Sequence, residues 1–135
     1  MNLSREIIAV VILVVVIGII FIILEHRPRT LNVEYFKKRW QELQKLCANR
    51  ATWALAIIDA DKLLDEALKK SHFKGKTMGE RLVSAQHTFT NNDSVWFGHK
   101  LRNKIVHETD AKLRQKDVRA ALVGFRQALK DLRAL

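Results

Sequence analysis

Residues 33–70 read VEYFKKRWQELQKLCANRATWALAIIDADKLLDEALKK and contain neither glycine nor proline. Within them Phe36, Trp40, Leu43, Cys47, Arg50, Ala54, Ile57, Asp61, Leu64 and Leu68 follow one another at alternating steps of four and three. That is the seam of a heptad pattern. It predicts one long helix, or two nearly collinear helices with a weak joint at Ala48-Asn49. Two polar residues, Arg50 and Asp61, interrupt the seam. Trp53, Ala60 and Leu64 widen the apolar face around Asp61, whereas Asp65 and Glu66 have plain i,i+4 partners in Lys69 and Lys70 on the wet side. Asp61 is therefore the acid expected to face inward. A buried carboxylate is costly unless paired, so a cationic partner is expected from another helix.

The segments downstream are helical too. Residues 71–76 form a basic loop around Gly75. Gly75-Lys76-Thr77 is not a phosphate-binding loop: that motif needs a glycine five residues before Gly75, where Lys70 stands, and a preceding strand. Thr77 with Glu80 three residues on reads instead as a capping box, opening a helix to about His87 with Met78, Leu82, Val83 and Ala85 available for packing. Asn91-Asn92-Asp93 is a second cap cluster, opening a helix that carries Val95, Trp96, Leu101, Ile105 and Val106. In the last helix Val118, Leu122, Phe125, Leu129 and Leu132 again repeat at four and three. Gly124 lies inside it at a cost of about 1 kcal/mol relative to alanine, which implies close approach of a neighbouring backbone. Short connections between four helices predict an up-down four-helix bundle over residues 33–135.

Upstream, residues 7–24 are an uninterrupted apolar run of 18, relieved only by Gly18. At about 1.5 Å per residue such a helix nearly crosses a hydrocarbon core of about 30 Å. The Val and Ile content suits strands in water, but in lipid a lone strand leaves its backbone unsatisfied and a helix does not. A cleavable signal peptide is the competing reading. It is disfavoured by the length of the run and by Glu25-His26-Arg27-Pro28-Arg29, which resembles no small-residue cleavage site. The expected organisation is an all-α chain: a single transmembrane anchor in residues 1–25, a basic linker in 26–32 and a helical domain in 33–135.

The flanks set the expected orientation. Arg5 is partly offset by Glu6, whereas Arg27, Arg29, Lys37, Lys38 and Arg39 follow the span. The positive-inside tendency then places the N-terminus outside the cell membrane and the domain in the cytoplasm. The single cysteine, Cys47, rules out an internal disulfide and suits a reducing compartment. From Thr30 onward 21 Lys/Arg stand against 12 Asp/Glu, a net of +9 that favours polyanionic neighbours, either anionic headgroups or nucleic acid. No set of His, Cys and acidic residues has metal-ligand spacing and no dinucleotide fingerprint occurs, so neither metal nor cofactor is expected.

Chemistry concentrates in residues 101–108, Leu-Arg-Asn-Lys-Ile-Val-His-Glu. On a helix Asn103 and His107 share a face, Arg102 and His107 lie about 140° apart around the axis, and His99 and Arg102 can meet. His99, Arg102, Asn103 and His107 can thus form one polar cluster. A histidine can move the proton of a 2′-hydroxyl, an arginine can bind and neutralise the phosphate in the transition state, and an amide can fix the imidazole tautomer. That set suits RNA cleavage without metal.

Arg102-Asn103-Lys104-Ile105-Val106-His107 resembles the Arg-polar-x3-His signature of HEPN domains, small helical bundles found in many prokaryotic toxins, defence proteins and RNases. The resemblance implies a four-helix core, a homodimer in which two such motifs meet at a cleft, and metal-independent endoribonuclease activity in the active branches. By that match Arg102 and His107 are catalytic and Asn103 is supporting. His99, from its spacing on the helix, and Asp61, from the facing seam, are expected as further supporting residues. The same residues have a structural occupation as well: Arg102 pairing with Asp61, and Asn103 with His107 as a satisfied polar knot that sets register. Three functions stay open at this level. One is a membrane-tethered endoribonuclease or RNA-binding module. Another is a non-enzymatic module that holds a protein partner at the bilayer. The third is a lipid-surface protein acting through its basic face.

Overall fold

The computed structural model describes residues 3–25 and 30–135. These form six α-helices and no strand: α1 Leu3–Glu25, α2 Val33–Lys45, α3 Trp53–Lys70, α4 Met78–Ala85, α5 Asn92–His107 and α6 Gln115–Asp131. In α1 the stretch Ser4–Leu24 is long and apolar enough to cross a membrane, and none of it is buried against the rest of the described chain. The basic flank at Arg27 and Arg29, with the linker from 26 to 29, lies outside the described residues.

The one long helix, or two nearly collinear helices jointed at Ala48-Asn49, expected over 33–70 is two helices that break at that joint and fold back on each other, so residues 33–135 hold five α-helices rather than four. Tyr35, at the start of α2, donates its hydroxyl hydrogen to Glu66 Oε2, near the end of α3, at 3.0 Å, which sets the two antiparallel. The reversal occupies two single turns of 3-10 helix, Leu46–Ala48 and Arg50–Thr52, with Asn49 extended between them (φ −117°, ψ 129°). Asn49 Oδ1 accepts from the Ala51 amide at 2.9 Å, and the Thr52 hydroxyl donates to the carbonyls of Leu46 and Asn49. Short polar side chains that bond nearby backbone offer the chain an alternative to continuing a helix. The spacing of four and three runs on through the reversal because both arms turn their seam to one core. Phe36, Trp40 and Leu43 are buried from α2, and Ile57, Asp61, Leu64 and Leu68 from α3. Arg50 interrupted the seam because it belongs to the turn. It is exposed, with its guanidinium 5.8 Å from the Trp53 ring centroid.

α3 is the central element and packs against α2, α4, α5 and α6. The starts of the next two helices follow their caps. Thr77 Oγ1 accepts from the Glu80 amide at 3.2 Å, and the Glu80 carboxylate reaches back to the Lys76 amide at 2.6 Å. Asn91 Oδ1 accepts from the Ser94 amide at 3.0 Å. α5 and α6 touch through glycines. A Cβ at Gly124 would stand 2.6 Å from the Ser94 carbonyl oxygen, and one at Gly98 would stand 2.7 Å from the fully buried Phe125 ring.

Gly→Ala in a helix interior normally gains about 1 kcal/mol. Here the added methyl has nowhere to go, and overpacking of this kind costs about 1–3 kcal/mol. Gly98→Ala and Gly124→Ala should therefore each lower the urea midpoint of the detergent-solubilised chain, followed by circular dichroism. Gly124→Ala should be the worse, since it meets backbone. Gly18→Ala, with nothing within 4 Å, should leave the midpoint where it is.

Candidate functional site

His99, Arg102 and Asn103 stand at i, i+3 and i+4 on α5 and so share the face turned to the middle of α3. Asp61 meets them there with 3% of its surface exposed. His99 Nδ1 lies 2.8 Å from Asp61 Oδ1, and His99 Nε2 lies 3.3 Å from Asn103 Nδ2. Arg102 donates from a terminal guanidinium nitrogen to Asn103 Oδ1 at 3.0 Å, and its Nε stands 3.5 Å from Asp61 Oδ2. The four side chains close a ring: carboxylate, imidazole, amide, guanidinium, and back to the carboxylate.

The partners assign the protons. Asn103 Oδ1 accepts from arginine, so its Nδ2 faces the imidazole and donates to Nε2. The imidazole then carries its proton on Nδ1 and donates a hydrogen bond from it to Asp61. The last link is the weakest, because Arg102 Nε is buried and makes no hydrogen bond at that distance. Trp96 meets the imidazole edge-on at a centroid separation of 5.9 Å.

Asp61 thus faces inward and has cationic and imidazole partners on another helix. His99, expected only as a supporting residue, is the closer of its two partners on α5. His107 is placed differently. It is the last residue of α5 and is exposed, and it has no part in the ring. The expected contact of Asn103 with His107 is replaced by the contact with His99, one turn back on the other side.

A second constellation went unread in the sequence. Arg81 on α4 binds Asp65 on α3 through two hydrogen bonds, at 2.6 and 3.0 Å, and donates to the Gly75 carbonyl at 2.6 Å. Arg81 is buried, while Val83, expected in the core, is 53% exposed. Asp65 does pair with Lys69 at 2.9 Å, but its side chain is only 16% exposed and is not on the wet side. Glu66 with Lys70, at 3.5 Å, is the surface pair expected. Burial acts to raise the Asp65 pKa. Hydrogen bonds from Arg81 and Lys69, and their charges, outweigh it and hold the carboxyl below its ordinary value. The sequence signal was the position of Arg81 beside Leu82 on the inner face of a short helix.

Between this clamp and the ring lies an open cavity of roughly 450 Å³, lined by Asp61, Lys62, Asp65, Thr77, Met78, Gly79, His99, Arg102 and Asn103. An Asp–His pair is the arrangement that orients an imidazole for proton transfer. In this ring Nε2 is already occupied by Asn103, and that bond must break before the nitrogen can take a proton. Among the described residues no three His, Cys, Asp or Glu side chains are grouped so as to hold a metal ion. Compared with known protein families, curated proteins and solved structures, the chain matches none.

Removing one partner of a buried charged pair costs about 3–5 kcal/mol. Asp61→Ala should therefore unfold at markedly lower urea than Asp61→Asn, which keeps the shape and one acceptor. Double-mutant cycles should give coupling in the range of about 0.5–3 kcal/mol, larger for Asp61 with His99 than for Asp61 with Arg102. Equal couplings would contradict the distances.

The Asp65 clamp carries a pH signature. A depressed native pKa contributes stability above the unfolded value of about 3.9 and loses it as pH falls through the native value. The gap in stability between wild type and Asp65→Asn should be full at pH 6–7 and shrink below pH 4, measured by urea unfolding at each pH.

Proposed function

We propose that this protein is a membrane-anchored, HEPN-like helical module that holds a macromolecular partner at the cell membrane, with its domain in the cytoplasm and no cleavage of its own as a single copy. In this reading α1 spans the bilayer, and α2, α3, α5 and α6 form the four-helix up-down core, with the short α4 laid across one side. The observation that carries it is the closed ring of Asp61, His99, Asn103 and Arg102. Each polar residue of the resembling motif that reaches the interior already has an internal partner, with Arg102 Nε left without a hydrogen bond, and buried polar networks of this kind fix the register of packed helices.

A second reading is supported by two other observations. Arg102 keeps 28% of its side chain exposed at the cavity, and His107 presents an unencumbered imidazole at the exposed end of the same helix. Two copies meeting along α5 would supply an arginine from one and a histidine from the other. That is the arrangement a metal-independent endoribonuclease of this resemblance needs.

Incubation of the purified chain with single-stranded RNA in EDTA separates the two. The tether reading expects intact RNA at every protein concentration. It also expects Arg102→Ala to unfold at a temperature lower by several degrees, whereas His107→Ala, at an exposed position, should not. Cleavage that rises with the square of protein concentration and vanishes in His107→Ala, with unchanged melting, would replace the tether reading with the nuclease.

A further inference from the structure

Cations gather at the end of the domain where the chain enters from α1. Thr30 and Leu31 share a cavity of roughly 500 Å³ with Ser71, Phe73 and Arg133, so the exits of α3 and α6 lie beside the entry of α2. Phe73 also lines the neighbouring basin that carries Lys69, His72, Lys74 and Lys76. Asp65 and Glu66 are paired with Lys69 and Lys70. Glu80 and Asp131 bond neutral donors, the Lys76 amide and Thr90 with Gln127, and keep their charge. Glu34 and Asp93 are exposed at the first turns of α2 and α5 and stand against the cations. Lys74, Lys76 and Arg133 are exposed and form no ion pair among the described residues.

The backbone adds an independent sign. α3 and α6 end in the same motif. The Phe73 amide bonds the Leu68 carbonyl and the Ala134 amide bonds the Leu129 carbonyl, each reaching over a residue in the left-handed region. That residue is His72 in one case (φ 63°) and Arg133 in the other (φ 60°). Glycine is the relaxed choice at this position. Twice at one end of the domain the chain accepts the strain and keeps a long basic or imidazole side chain, and strain of this kind persists where a side chain has a use.

Five peptide steps separate Glu25 from Thr30. They span at most about 18 Å in any conformation. If α1 crosses a bilayer, this end of the domain stays within that distance of the span's end, at an effective concentration in the millimolar range or above.

We infer that the α3–α4 loop and the end of α6 dock on the anionic headgroups of the leaflet that faces the domain, through Lys74, Lys76, Arg133 and His72. The docking fixes the domain against the bilayer and leaves the 46–52 turn, at the opposite end of α2 and α3, pointing away from it. The inference rests on α1 as a membrane span, and the test separates the two. Each lysine brought to such a surface shifts the equilibrium about fivefold, so losing two weakens docking about 25-fold.

The experiment uses the full chain in two lipid nanodiscs, one of phosphatidylcholine alone and one with phosphatidylserine added. Amide hydrogen exchange is read over residues 71–77 and 132–135, with the 46–52 turn as the internal reference. Docking expects slower exchange at the first two sites in the anionic disc only. The protection should be lost in high salt, where screening shortens to about 3 Å at 1 M. It should also be lost in Lys74→Gln/Lys76→Gln, an exposed pair whose replacement leaves the core alone. Equal exchange in the two discs would overturn the inference. So would protection that survives the double substitution, or protection that appears only when RNA is added, whatever the lipid. Failure of the chain to float with phosphatidylcholine vesicles after an alkaline wash would remove the span, and the docking with it.

Discussion

The carboxylate of Asp61 lies in the middle of the most connected helix and has almost no access to water. A lone carboxylate there would be several kcal/mol out of balance. Its pairing with the Nδ1–H of His99 and the guanidinium of Arg102 is therefore a condition on how α5 can sit against α3. A slide of one turn along either axis would leave an acid, an imidazole and a guanidinium unpaired in an apolar interior. Apolar packing alone tolerates such slides far better, because one leucine contact resembles another. The ring gives the α3–α5 register a definite value, and the contacts of α5 with α6 through Gly98 and Gly124 carry that register to the last helix.

The sequence revealed Asp61 because its neighbours on the seam were apolar while the other acids nearby had partners one turn away. It revealed Gly124, Thr77 and Asn91 because each names its own local geometry: a methyl that must be absent, or a hydroxyl or amide oxygen that must cap an amide. It located a joint at Ala48-Asn49 but hid that the chain reverses there. A spacing of four and three is indifferent to whether the chain runs straight or folds back, as long as both arms face one core, and Asn49 and Thr52 carried the only signal. It hid the Arg81–Asp65 clamp because Lys69 already looked like a sufficient partner. It could not rank His99 above Arg102, since which of two side chains three residues apart reaches an acid depends on the depth of the facing helix.

The candidate site was half legible for a related reason. The signature from Arg102 to His107 is defined along one helix, and its ends are about 140° apart on that helix. Whether they meet is a property of tertiary structure or of a second copy. Within one copy the near end of the signature points into the ring, and the far end stands in water at the helix terminus. The same six residues therefore contribute to two different environments.

Charge balance at the cavity bears on what those environments can do. Asp61 and Asp65 supply two negative charges at its wall, and Arg102 and Lys62 supply two positive ones, with Arg81 and Lys69 adding two more cations on Asp65. A phosphate entering this space meets a positive balance but must compete with Asp61 and Asn103 for the Arg102 guanidinium. Phosphoryl chemistry relies on positive groups fixed in advance at the developing charge. In a single copy three of these cations, Arg81, Lys69 and Arg102, are already turned to protein partners, so the surplus is held by the fold and is not aimed at an open phosphate site. The basic loop at 71–76 runs directly into Thr77 at the cavity's rim, and Lys69 and Arg81, which line the loop's basin, bind the Asp65 that lines the cavity. The loop's cations and the ring are thus neighbours joined by the Asp65 clamp, and a change at one reaches the other through that carboxylate.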